Sequence, residues 1–207
     1  MPAIDLRGIK IGEYKNNDGT VTYETPISMG EAMTAQLELT FAEGRLYSES
    51  RLAEYIKLAT GGTVSIGVKY IPDAAQKLMY GASEKTRTLN GSNNAKSLLS
   101  TTKDIAKYVG MGFYAPDMID GVNKFTAVFV YKVLFGPPSR AFKTKDNTIT
   151  FQTPTTTGEF LGDDSENNNL FEMATLDSEA DAKSWISLCF GATRQESTST
   201  SRESNGH

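Results

Sequence analysis

Gly110-Met111-Gly112-Phe113-Tyr114-Ala115 is spaced as G-x-G-x-x-G/A, the pattern whose glycines let a strand-to-helix turn approach a dinucleotide pyrophosphate. That chemistry needs a helix opening directly after the motif, because the phosphates rest on its N-terminal amides. Here Pro116-Asp117 follows, and the next long apolar segment, from Phe125, has the two-residue period of a strand. No alternation of strands with long helices accompanies the motif, as a doubly wound nucleotide-binding fold would require. Read at period two, Val109, Met111, Phe113 and Ala115 face one way, and Tyr108, Gly110, Gly112 and Tyr114 the other. The two glycines then leave a bare patch that a neighbouring chain, or another layer of the same chain, can approach closely.

Other chemistry is limited by scarcity. The sequence holds one cysteine, Cys189, and one histidine, His207 at its end. A lone cysteine makes no internal disulfide or cysteine-rich zinc site, and a terminal imidazole does not serve a Ser-His-Asp or Cys-His centre. Among 25 acidic residues no spacing singles out a carboxylate pair for glycoside chemistry. In the acidic loop "GDDSENNN", Asp163, Ser165, Asn167 and Asn169 offer oxygen at every second residue, which raises calcium. The EF-hand register fails, with Asn168 where glycine is needed and Ala174 where the bidentate glutamate belongs, so a solvated loop is preferred. No catalytic, cofactor or metal site is expected. A net charge of −4 without a Lys/Arg cluster argues against a nucleic-acid binder.

The elements that must position these residues are mostly strands. Val21, Tyr23, Thr25 and Ile27 alternate with polar residues and Pro26; so do Ala35, Leu37, Leu39 and Phe41, then Val64, Ile66, Val68 and Tyr70, and finally Ile149, Phe151 and Thr153. In "KFTAVFVYKVLFG" both faces are apolar, Phe125, Ala127, Phe129, Tyr131 and Val133 on one and Val128, Val130 and Leu134 on the other. Such a strand is either central and covered on both sides or turned toward another protein. Two short helices carry end signals: "PDAAQKLMYG", with Asp73 and Gln76 as a cap pair and Gly81 as the stop, and "DSEADAKSWISLCFG". In the second, Ala182, Trp185, Ile186 and Cys189 share the face that should dock on a sheet, Trp185 acting as a core anchor. Past a strand ending near Ala42, "AEGRLYSESRLAEY" reads as an exposed hairpin or long excursion bearing Arg45, Tyr47, Glu49 and Arg51. Polar connections are expected at residues 16–20 and 90–94. A single domain over residues 1–192 is expected, followed by a disordered Ser/Thr-rich tail, 193–207. With no signal-like start and no apolar run long enough for a bilayer, synthesis and retention in a cytoplasm are expected.

The order of these segments resembles the major tail tube protein family of long, non-contractile-tailed bacteriophages. It runs from "TYETPISMGEAMTAQLELT" through "GGTVSIGVKYIPDAAQKLMYG", "YVGMGFYAP", "KFTAVFVYKVLFGPPSRAF" and "NTITFQTPTTTGEFLG" to "EADAKSWI", covering roughly residues 10 to 190. The resemblance implies a mainly β, tail-tube β-sandwich or barrel of two packed antiparallel sheets flanked by a short α-helix, with a second short helix and long loops. It implies a non-enzymatic virion protein whose homohexameric rings stack into a hollow tube. The partners so implied are the tape-measure protein inside the tube, the tail terminator and distal tail proteins, and genomic DNA passing through without specific binding; no membrane is involved. The place so implied is the virion tail tube, after synthesis in the host cytoplasm. An acidic balance suits such a conduit, since it repels phosphates. Arg45, Tyr47, Glu49, Arg51, Gly110, Gly112, Asp163 and Asp164 are the candidate assembly contacts, together with the N-terminal arm. The reading from another class is a carbohydrate- or receptor-binding β-sandwich that uses surface aromatics such as Tyr47.

Overall fold

Alternating apolar residues and scarce helix signals make a mainly antiparallel β protein. The computed structural model describes residues 5–48, 51–89, 94–119, 121–139 and 153–191. The strands are β1 (Arg7–Asn17), β2 (Thr20–Tyr23), β3 (Ile27–Ser28), β4 (Ala32–Ser48), β5 (Arg51–Val68), β6 (Ser83–Thr88), β7 (Asn94–Leu99), β8 (Tyr108–Ile119), β9 (Val122–Phe135), β10 (Thr155–Leu161) and β11 (Phe171–Leu176); the helices are α1 (Asp73–Tyr80) and α2 (Glu179–Cys189). Nine strands form one antiparallel sheet, in the order β2-β1-β8-β9-β10-β5-β4, with β3 on β1 and β11 on β9; β6 and β7 form a separate hairpin. The expected strand around residues 149–153 lies outside the described residues except Thr153, as do the tail 193–207 and all but Asn94 of the 90–94 connection.

The nine-stranded sheet makes two layers because it branches at β9. One edge of β9 pairs with β8. Its other edge pairs first with β11, from Phe125 to Val130, and then with β10, from Lys132 to Phe135. The branch coincides with a β-bulge: Val109 faces Val133 and Met111 faces Val130, so Tyr131 and Lys132 have only Gly110 between those pairs. The extra residue exchanges the faces of β9. Val133 therefore points inward with Val128 and Val130, and not with Phe129 as uninterrupted alternation predicts. Across the resulting space Val64, Ile66 and Val68 of β5 meet Ile9 and Ile11 of β1 and Val109, Met111 and Phe113 of β8, with Met79 of α1 closing the end. Burying one such aliphatic side chain is worth about 1.5–3 kcal/mol, which is why period-two sequences commit to this face.

On its other face β9 is covered as well. Ala182, Ile186 and Phe190 of the α2 segment pack on Tyr114, Ala127 and Phe129, with Trp185 and Cys189 half-buried beside them. Of the two alternatives for β9, the covered central strand is the one observed. Ser178 caps α2 by accepting from the Asp181 amide, and the acids of the first turn, Glu179 and Asp181, complement the helix dipole. At α1 the cap is Pro72 rather than Asp73, and the Gln76 side chain donates to the Ile71 carbonyl at 2.8 Å. The extended proline brings the chain in, and Asp73 is already the first helical residue. Gly81 ends the helix in the left-handed region at φ 71°, as its sequence position suggests. The 16–20 connection shrinks to a two-residue turn, Asp18-Gly19, with both φ angles positive, the geometry that matches strand twist in a tight hairpin.

Gly110 and Gly112 are the floor of the α2 layer. A Cβ on Gly110 would sit 2.4 Å from the Tyr23 ring, and one on Gly112 would sit 2.6 Å from Ile186 and 3.3 Å from Phe129. Above them Tyr23, Phe129 and Phe190 meet edge to face with centroids 4.8–5.7 Å apart. Gly112→Val should lift α2 off the sheet and cost roughly 1–3 kcal/mol, the usual range for overpacking. Urea unfolding followed by circular dichroism measures this; an unchanged midpoint would show that the α2 contact is not constraining.

Candidate assembly surface

The β4–β5 hairpin is far longer than the core beneath it. Ala35, Leu37, Ile66 and Val64 anchor its root on the core, but from Phe41 and Ala59 outward its described side chains are exposed. The strand expected to end near Ala42 continues to Ser48, and its partner starts at Arg51, well before the apolar run from Val64. The sequence "AEGRLYSESRLAEY" is thus a projecting two-stranded arm.

The arm reverses its amphipathic sense. At the root, the face continuous with the core carries Ala35, Leu37 and Leu39, and the other face carries Gln36, Glu38 and Thr40. At Thr60 a bulge adds one residue to β5, since Thr40 pairs with Gly61 but Phe41 pairs with Ala59. Beyond it the core-side face becomes Phe41, Glu43, Lys57, Arg45 and Tyr55, while the opposite face becomes Ala42, Leu58, Gly44, Ile56 and Leu46. The charged face is satisfied within itself. Glu43 pairs with Arg45 at 3.4 Å and Lys57 at 3.5 Å, and Lys57 lies over the Phe41 ring and Arg45 over Tyr55. Hydrogen bonding from Tyr55, then the cations Lys57 and Arg45, holds the Glu43 carboxyl below its ordinary range. The other face has no such partners: Leu46, Ile56 and Leu58 are 58%, 56% and 63% exposed. An isolated two-stranded ribbon is marginal in water, and a contiguous apolar strip on it is the mark of a surface that is covered in use. Among the described residues β4 also leaves its outer edge unpaired.

Arg45 and Tyr47 stand on this arm, and Arg51 begins its return strand; Glu49 lies outside the described residues. The remaining candidates are not on it. Gly110 and Gly112 are covered by this chain's own Tyr23, Ile186 and Phe129, so the layer that approaches them is internal. The loop is exposed at 164 and 166–168, but Asp163 within it is buried: it is 4% exposed and accepts from the Ser165 hydroxyl at 2.6 Å and the Asn169 amide at 2.6 Å, with further bonds from the Ser165 amide and Asn169 side chain. Three of the four donors converge on Oδ1, so this carboxylate serves as the acceptor that organises the loop. Asp164 accepts from Lys132 at 2.8 Å and from the Tyr14 hydroxyl at 2.9 Å, and those bonds hold its carboxyl low. Lys132 in turn lies against the rings of Tyr14 and Tyr108. This pair locks the loop to β1 and β9. Leu46, Ile56 and Leu58 were the residues sequence reasoning passed over; their signal is the change of apolar parity between Phe41 and Ala42.

At the other end of β5 the β6–β7 hairpin stands away from the core over α1. Glu84 ties it down by pairing with Lys77 of α1, and within the hairpin it pairs at 2.9 Å with Lys96 of β7. Those two cations hold the Glu84 carboxyl down at about 2, from an ordinary 4.5. Beneath the hairpin is a cleft of about 590 Å³ with a floor that includes Leu98, Ala106, Phe135 and Pro138, and with Asp73 and Asp104 at its sides.

Among the described residues no group of three or more His, Cys, Asp or Glu is placed to hold a metal. The Cys189 thiol is pushed up to about 12 by burial and is no nucleophile at neutral pH. No described helix is long and apolar enough to cross a membrane. No protein-family model and no curated protein matches the chain.

Because the folded value of Glu84 is depressed, its contribution to stability is present above pH 4.5 and is lost as pH falls toward 2. Glu84→Gln should flatten the acid limb of the melting temperature between those values and leave the neutral plateau little changed. Thermal unfolding of both proteins across pH 2–7 checks this, and parallel acid limbs would contradict it.

Proposed function

We propose that this chain is a structural, non-catalytic subunit of a hollow tube, of the kind found in the tails of long, non-contractile-tailed bacteriophages. The observation that carries the reading is the β4–β5 arm, whose apolar face is exposed in the single chain while Glu43, Arg45 and Lys57 of its other face pair with one another. Such an arm gains by meeting another subunit and has nothing to offer a small-molecule reaction. The antiparallel two-layer fold, the flanking α2 and the acidic balance support the same reading. In it, six subunits close a ring through one set of heterologous contacts, and rings stack without closure through another. The tube encloses a tape-measure protein, is bounded by a terminator and distal tail proteins, and passes genomic DNA along a lumen that does not bind it. The site of action is the virion, after synthesis in the host cytoplasm.

Electron microscopy of the purified protein with its tail-tip partners should show rings and tubes. Ile56→Asp combined with Leu58→Asp should leave the melting temperature of the single subunit within a few degrees and reduce tube yield at least tenfold. Strictly monomeric protein at high concentration, with saturable glycan binding abolished by Tyr47→Ala, would overturn the proposal in favour of a carbohydrate-binding module.

A further inference from the structure

The arm and the cleft lie at opposite ends of one strand. β5 leaves the arm at Arg51 and delivers the chain, after Val68, to α1, whose Asp73, Gln76 and Tyr80 line the cleft. Pairing fixes the same direction: Gly62 lies beside Phe160 near the arm, whereas Gly67 lies beside Thr155, close to where Gly136 bonds Thr157 and the chain turns to Pro137 at the cleft. Eighteen residues of strand place the two ends about 60 Å apart at about 3.3 Å per residue. An arm therefore cannot fold back into its own cleft, but a copy displaced along the strand axis brings an arm to the cleft of its neighbour.

From this we infer that the cleft between α1 and the β6–β7 hairpin is the acceptor for the β4–β5 arm of a second copy of this chain. The inference rests on the tube reading and adds to it the receiving surface. The chemistry of the two parts is complementary. The arm brings an apolar strip, Leu46, Ile56 and Leu58, with Glu54 across from Leu46 and Arg51 at the tip. The cleft brings apolar groups, Leu98, Ala106, Phe135 and Pro138, with charges of both signs, Asp73, Asp104 and Lys96. Apolar burial supplies the attraction, and the charges of both signs, Arg51 and Glu54 on the arm against Asp73, Asp104 and Lys96 in the cleft, set the orientation. The Lys77–Glu84 pair holds the β6–β7 hairpin to α1, the Lys96–Glu84 pair ties its two strands together, and both keep the acceptor formed before the arm arrives. The contact is head to tail, so each copy can give one arm and receive one, and because successive copies are displaced along the strand axis the series runs on without closing.

The test uses full-length protein with its tail-tip partners. Leu46→Cys and Ser100→Cys in one chain should be joined between copies by a short bis-maleimide in assembled tubes and not in monomers. The protonated, half-buried Cys189 serves as the internal control. Ser100→Trp, at an exposed position on the cleft rim, should block elongation by itself while the subunit stays folded. Mixed with the Ile56→Asp, Leu58→Asp protein, it should yield pairs that stop at one step, because one partner can only donate and the other only accept. Tubes that form normally from Ser100→Trp, without cross-linking of the cysteine pair, would overturn this acceptor and leave the tube reading standing. Failure of the unmodified protein to form any tube would overturn both.

Discussion

The whole architecture depends on β9 belonging to two layers at once. Its first half pairs with β11 and its second with β10, and the bulge at Tyr131 and Lys132 is where one sheet becomes two facing ones. The break is not left open. The Tyr131 amide donates to the Leu170 carbonyl, and its carbonyl accepts from the Tyr23 hydroxyl at 2.9 Å. Leaving those peptide groups unpaired under the α2 layer would cost about 1–3 kcal/mol each, so the tyrosine is a structural requirement of the branch. Burial, and then the negative charge of Asp163, push the Tyr23 hydroxyl up and keep it protonated.

From that branch the demands on the rest of the chain follow. The inner space admits the aliphatic faces of β1, β5 and β8, and the outer face needs a cap, which α2 provides. The glycines of β8 exist because the cap sits close: Tyr23 and Ile186 occupy the volume that side chains at positions 110 and 112 would fill. The loop after β10 is then fastened by Asp163 within itself and by Asp164 to Lys132, next to the bulge. None of this core reaches the arm, which is why the arm's stability must come from elsewhere.

Much of the β framework was legible in the residues. Strict alternation placed Val64, Ile66 and Val68 inward, the apolar companions of Trp185 oriented α2, and Gly81 ended α1. What escaped did so for identifiable reasons. A bulge inserts one residue without a composition signal, so alternation alone places Val133 on the wrong face of β9, whereas along β4 the apolar residues themselves change face past Ala42, where strict alternation ends. The β6–β7 hairpin is built from "SEKTRT" and "NAKSLL", which bury too little to alternate, and so reads as connection. Asp163 looked like a solvated acid because its partners, Ser165 and Asn169, are themselves polar. The glycine motif was correctly moved from phosphate chemistry to packing, but whether its neighbour was internal depended on Tyr23, distant in sequence and adjacent in space.

The α2 layer also makes the molecule its own spectroscopic instrument. Trp185 is the chain's single indole, half-buried beside the aromatic group of Tyr23, Phe129 and Phe190. Neither the arm nor the cleft contains another. Tryptophan emission therefore isolates the seating of α2 on β9 from everything that happens at the two ends of the subunit, and a change in its wavelength on polymerisation would mean that contact at an end is transmitted through the branch to the opposite face of the sheet.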